Sequence, residues 1–165
     1  MNRSFYFAAI AAVVAGMVSC SKDKPEENGG NEENLDLSGR VTENLTLKSG
    51  YDYRLVGSLQ VVAPAVLTIE PGVTVTAADN GEINYILIEQ GAKINACGTA
   101  DSPIVLTAES KKSGAWGGLH ICGKAHSNKS ATAGESLTSE IGNAIYGGNV
   151  ENDNSGVLKY VRLEY

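Results

Sequence analysis

The chain has one long apolar run, no segment with a helical period beyond that run, few cysteines and a shortage of positive charge. The run, Phe5 to Val18, is fourteen residues long, whereas a bilayer-spanning helix takes ~20, so a multi-span transporter is excluded for this chain. With 13 Lys and Arg against 19 Asp and Glu the net charge is −6 and the pI about 4.9. That balance repels phosphate backbones and anionic lipid, so nucleic acid is not an expected partner. The three cysteines are too few for a disulfide scaffold, and no cofactor motif is present.

What is present begins at the first residue. Arg3 and the α-amino group stand ahead of an apolar run rich in Ala8, Ala9, Ala11, Ala12, Ala15 and Gly16, the plan of an export signal. The run ends in Met17-Val18-Ser19-Cys20, which resembles the lipobox of bacterial lipoproteins, with methionine where leucine is usual. The resemblance implies a signal over residues 1–19 and diacylglycerol on the Cys20 thiol, followed by a third acyl chain on its freed amine. One short acyl chain binds a membrane only marginally, whereas two or more anchor stably, so the expected partner is a lipid bilayer through acylated Cys20. An ordinary signal peptide, leaving Cys20 as a spare thiol, is the alternative.

Residues 20–34 continue as SKDKPEENGGNEEN after the cysteine, with no apolar side chain to bury. Such a segment is expected to be a disordered tether. Its Lys/Asp/Glu-rich opening resembles the signal that sends some Gram-negative lipoproteins to the outer face of the outer membrane. The location expected is therefore the outer membrane, lipid-anchored, and surface exposure is one form of it. A plain solvated spacer is the competing reading. Residues 35–165 remain, enough for one domain.

Within that domain the pattern apolar-x-apolar-x-x-Gly-x-x-apolar occurs three times: Leu45, Leu47, Gly50, Tyr53; Leu67, Ile69, Gly72, Val75; and Ile86, Ile88, Gly91, Ile94. Its glycines lie 22 and 19 residues apart. Alternating apolar residues mark half-buried strands, and a recurring glycine marks a corner between them. Further strands are expected at 104–108, 118–122 and 157–163. This all-β pattern predicts a right-handed parallel β-helix of about four to six coils. Leu47, Ile69 and Ile88 would form one interior column, and Tyr53, Val75 and Ile94 another. A β-sandwich is the alternative fold. Residues 123–155, rich in Ser, Asn, Gly, Thr and Ala, read as a long loop leaving the coil and able to cover one side of it.

Several segments carry a family resemblance: Leu67-Thr68-Ile69-Glu70-Pro71-Gly72-Val73, Gly98 to Ile104, Trp116-Gly117-Gly118-Leu119, and Asn152 to Tyr165. Together they are similar to uncharacterised β-helix lipoproteins of Gram-negative envelopes. Members of that family are usually longer, which implies that this chain is truncated at its C-terminus. An uncapped last coil would invite self-association through its strand edges.

Candidate chemistry is sparse. His120, Cys122, His126 and Cys97 have the atom types of a tetrahedral zinc site, but their spacing matches no zinc motif, and ordinary packing is the favoured reading. Cys97 and Cys122 are one potential disulfide in an oxidising envelope. Asn149 to Asn154 is oxygen-rich, yet Tyr160 stands where an EF-hand needs its bidentate glutamate, so a solvated turn is expected and no metal is assigned. Glu70 and Glu89 fall at equivalent repeat positions and would lie one coil apart, close to the spacing at which paired carboxylates can hydrolyse glycosides, though outward glutamates beside a turn are ordinarily just solvated and that is the favoured reading. No stripe of acids or bases along one sheet is evident. Trp116, Tyr85 and Tyr146 are the candidate glycan contacts, as flat amphipathic rings, and Trp116, among glycines, is expected to pack at a corner. Tyr51 and Tyr160 are further aromatics without a visible ladder. The function expected is a non-catalytic structural, adhesive or glycan-binding envelope lipoprotein, with glycan or another envelope protein as partner. A fragment of a polysaccharide lyase or glycoside hydrolase is the alternative.

Overall fold

A computed structural model describes residues 35–165. The signal, Cys20 and the tether expected from the sequence lie outside the described residues. The described chain is all strand and turn, in thirteen strands: β1 (Leu35–Val41), β2 (Leu45–Leu47), β3 (Asp52–Val61), β4 (Val66–Ile69), β5 (Thr74–Ala77), β6 (Tyr85–Ile88), β7 (Lys93–Cys97), β8 (Ile104–Ala108), β9 (Gly118–Ile121), β10 (Leu137–Thr138), β11 (Ile145–Tyr146), β12 (Gly156–Lys159) and β13 (Val161–Leu163).

Every pairing between coils is parallel, which rules out the β-sandwich, whose sheets are antiparallel. One face of the solenoid stacks β2, β4, β7 and β12. A second stacks β1, the first half of β3, then β5, β8 and β13, and a third stacks the second halves of β1 and β3 with β6 and β9. The result is a three-faced parallel β-helix with three complete coils between two partial ones. The long strand β3 bends between two faces near Gly57, and in later coils the same corner widens into 78–84 and then 109–117. β1 and the second half of β3 were not legible as repeats, because they lack the corner glycine pattern.

The interior is filled by the alternate residues that point inward from each strand, among them Leu47, Leu55, Leu59, Leu67, Ile69, Ile86, Ile88, Ile94, Ile104 and Leu106, all essentially fully buried. Alternation follows from the two-residue period of a strand. On β4, Leu67 and Ile69 are buried while Thr68 between them faces outward and is half-buried.

The expected columns need one correction. Leu47 stacks on Ile69, and Tyr53 on Val75, but the third member in each case is Ala96 and Leu106, not Ile88 and Ile94. Ile88 stacks on Val61 on another face, and Ile94 on Leu67. The cause is local: Gly50 and Gly72 turn the chain from the first face to the second, whereas Gly91 turns it from the third face back to the first. Each has a φ between +81° and +85°, the left-handed conformation that a type II turn requires at its third residue. Two different corners therefore make the same local demand, and the 19-residue spacing is not a coil. The segment expected as one strand over 157–163 is two, because Tyr160 at φ 49° bends the chain between faces. Its carbonyl approaches so closely that a Cβ on Gly98 would lie 2.8 Å from it.

One polar side chain sits inside this frame. Asn84 is fully buried, and its amide donates to the Ala78 carbonyl at 2.7 Å and to Asn80 Oδ1 at 3.1 Å, closing the 78–84 corner.

The strand alternation makes a direct test. Ile69→Asp places an unpaired carboxylate in the column and is expected to destabilise the domain by about 4 kcal/mol or more, unfolding it in thermal circular dichroism. Thr68→Asp, one residue away and outward, is expected to stay within about 1 kcal/mol of the wild type. Equal effects would contradict the register.

Candidate functional site

The segment from Gly123 to Ser155 leaves the solenoid after β9, returns at β12, and folds back over the third face as a flap. Its tip is the antiparallel pair β10 and β11. Outward residues of a β-helix are ordinarily solvated, but Leu87 on β6 points outward and is completely buried. It forms a second apolar cluster with Cys122 and Ala144, flanked by Tyr85 and Tyr146. Gly142 rests directly on this cluster, where a Cβ would lie 2.8 Å from Leu87 Cδ2 and 3.2 Å from the Tyr85 hydroxyl.

The base of the flap is stapled. Gln90 donates from Nε2 to the carbonyls of Gly123 and Gly147, both at 2.7 Å, and Gly147 N–H donates to the Gly123 carbonyl at 2.9 Å. Lys124 N–H donates to Asp153 Oδ2 at 2.7 Å, and Asn154 Oδ1 accepts from Gly156 N–H at 2.8 Å. Two side-chain oxygens of the 149–154 stretch, Asp153 Oδ2 and Asn154 Oδ1, thus accept backbone N–H bonds within turns. Ser130 Oγ also bonds to Glu135 Oε2 within the flap.

Between β9 and the flap hairpin lies a cleft of about 310 Å³, lined by His120, Ile121, Cys122, Lys129, Thr138, Ser139, Glu140 and Tyr146. His120 Nε2 lies 2.7 Å from the Gly117 carbonyl. A carbonyl only accepts, so this nitrogen carries a proton and donates it. The imidazole meets the Tyr85 ring edge-on with centroids 6.3 Å apart, and the Tyr85 hydroxyl accepts from Gln60 Nε2 at 3.1 Å. Burial, and secondarily the negative charge of Glu89, raises the Cys122 thiol above its ordinary pKa, so the thiolate is scarce there.

The candidate residues divide accordingly. Tyr85 and Tyr146 are brought to one cluster, with Tyr146 open to the cleft. Trp116 is elsewhere: it packs on the main core, and its indole donates to the Glu164 carbonyl at 2.9 Å beside a recess of about 200 Å³. Tyr51 and Tyr160 are separately exposed. Cys97 is exposed on β7 while Cys122 is buried beneath the flap, and both are free thiols. Among the described residues, no group of three or more His, Cys, Asp and Glu is placed to hold a metal ion. Glu70 and Glu89 are not a stacked pair, because they occupy different corners of the solenoid. Glu70 accepts from Ser49 N–H at 2.8 Å, and Glu89 pairs with Arg40 at 3.1 Å.

A charged groove that sequence reasoning missed runs across the second face. It has a volume of about 330 Å³ and is lined by Asp52, Tyr53, Arg54, Thr76 and Glu109. Arg54 Nε donates to Glu109 Oε1 at 2.8 Å although the two residues are 55 apart in sequence, and Asp79 N–H donates to the other oxygen at 2.9 Å. These bonds, Arg54 first, hold the Glu109 carboxyl below the usual carboxylate range. Further along the same face Arg162 pairs with Glu164, and Thr107 donates to Glu164 at 3.1 Å. The stripe of acids and bases absent from the linear sequence is therefore assembled by stacking.

Fold and site together define a parallel β-helix carrying a lateral flap. The family model of the pectate-lyase-like β-helix domain matches residues 39–165, and the chain belongs to that family. Neither the curated proteins nor the solved structures contain a match to it.

The two thiols report on the flap. Cys97 is expected to react quickly with iodoacetamide and Cys122 slowly, because Cys122 is buried and its thiolate is disfavoured. Gln90→Ala removes both staple bonds, worth about 1 kcal/mol each, and is expected to speed Cys122 alkylation roughly tenfold, with Cys97 unchanged. Peptide mass spectrometry measures both rates, and an unchanged Cys122 would mean that the staple does not hold the flap.

Proposed function

We propose that this chain is a lipid-anchored envelope protein whose β-helix presents a non-catalytic glycan-binding surface. The anchor rests on Met17-Val18-Ser19-Cys20 at the end of the apolar run, a pattern that resembles the lipobox and would place acyl chains on Cys20. The observation that carries the binding function is the cleft beneath the flap. It combines an aromatic ring, Tyr146, with an aliphatic side chain, hydroxyls and two opposite charges, in a volume at the small end of ligand sites, ~300 to 1,000 Å³. Sugars are amphipathic rings, and amphipathic walls of this kind suit them.

A second reading is a β-helix enzyme acting on polysaccharide, and the groove of Asp52, Arg54 and Glu109 favours it. Carboxylates beside a guanidinium are the group types that proton abstraction or glycoside hydrolysis uses. Against this, both Glu109 oxygens are already engaged by Arg54 and Asp79.

Cell fractionation and glycan assays test the two halves of the proposal. Cys20→Ser is expected to move the protein from the membrane pellet to the soluble fraction, and the wild-type mass is expected to exceed that of the polypeptide by its acyl chains. Purified protein is expected to retain soluble polysaccharide without new reducing ends or unsaturated product. Product formation abolished by Glu109→Gln would establish the enzyme reading instead.

A further inference from the structure

The charges around the flap cleft narrow what it takes. Lys129 and Glu140 face the same space, so its walls sum to no net charge, and both side chains are exposed enough to reach a guest. The chain as a whole carries −6. An acidic sugar entering here would meet one cation already countered by a carboxylate, and a polyanion would be repelled at longer range.

The uncharged groups point the other way. Thr138 and Ser139 offer hydroxyls that both donate and accept, and Tyr146 and Ile121 offer apolar surface. Donors and acceptors in similar number, set around an aromatic ring, match a pyranose with its alternating hydroxyls and apolar C–H face. Cys122, which packs with Leu87 and Ala144 in the buried cluster, contributes to the cleft wall. We infer that the flap cleft binds an uncharged sugar unit, a neutral hexose or N-acetylhexosamine, and discriminates against uronates. This inference rests on the glycan-binding reading above and assigns that reading's ligand class.

The test uses the full-length lipidated protein in detergent micelles, with mannohexaose and chitohexaose as neutral probes and hexagalacturonate as the acidic one. Isothermal titration is expected to show binding of at least one neutral probe and at least tenfold weaker binding of hexagalacturonate. Glu140→Gln and Tyr146→Ala are each expected to weaken neutral binding several-fold. Because Tyr146→Ala can disturb the flap, Thr138→Ala serves as a milder variant, and each variant's thermal melt is compared with the wild type. A bound neutral probe is expected to slow alkylation of Cys122 while leaving Cys97 unchanged, which locates the sugar in the cleft. Preferential binding of hexagalacturonate would overturn the inference and leave glycan binding standing. Neutral binding that neither protects Cys122 nor responds to the variants would place the sugar elsewhere and overturn the site. Binding of none of the three probes would sink the glycan-binding reading itself, and this inference with it.

Discussion

Each strand in the solenoid hydrogen-bonds only to the coil before it and the coil after it, so every other feature depends on the register of that stacking. In a parallel ladder a slip of one residue exchanges the inward and outward faces of a whole strand. Leu47, Ile69 and Ala96 stack in one fully buried column. A carboxylate in the same place would have no partner, since the interior is otherwise apolar apart from Asn84 at its corner.

Once the register is fixed, the outer surface acquires chemistry that no local segment contains. Arg54 and Glu109 meet only because β3, β5 and β8 stack in order, with Thr76 from the middle coil between them. The third face shows the opposite treatment. There Leu87 would be an exposed apolar residue on a polar surface, and the flap buries it in a second apolar cluster, closing over it through Gly142. A glycine is required at 142 both for its φ of 71° and because a Cβ would strike Leu87.

The flap also explains why the two cysteines differ. Cys97 follows the outward-facing Asn95 by two residues on an open face, so it is exposed. Cys122 follows β9 under the flap, where burial suppresses its ionisation. Their separation over different parts of the solenoid leaves each thiol independent, and the contrast in reactivity makes them internal reporters of flap and coil.

Much of the fold was legible in the residues themselves. Leu45, Leu47, Gly50 and Tyr53 against Leu67, Ile69, Gly72 and Val75 is a true coil repeat, and the run of small polar residues after Cys122 does leave the coil. The third instance at Ile86 to Ile94 was misleading, since a type II corner demands glycine wherever the chain turns and does not say which corner it is. The pairing of Glu70 with Glu89 failed for that reason, whereas Arg54 and Glu109 were missed because 55 residues separate them in sequence. Period and turn chemistry are local properties, and the sequence by itself determined them: strands, corners, the inserted segment and the parallel β-helix they imply. Which residues face one another is set by long-range hydrogen bonding between coils of unequal length, so only the tertiary structure decided the columns, the Arg54–Glu109 groove and the cleft beneath the flap.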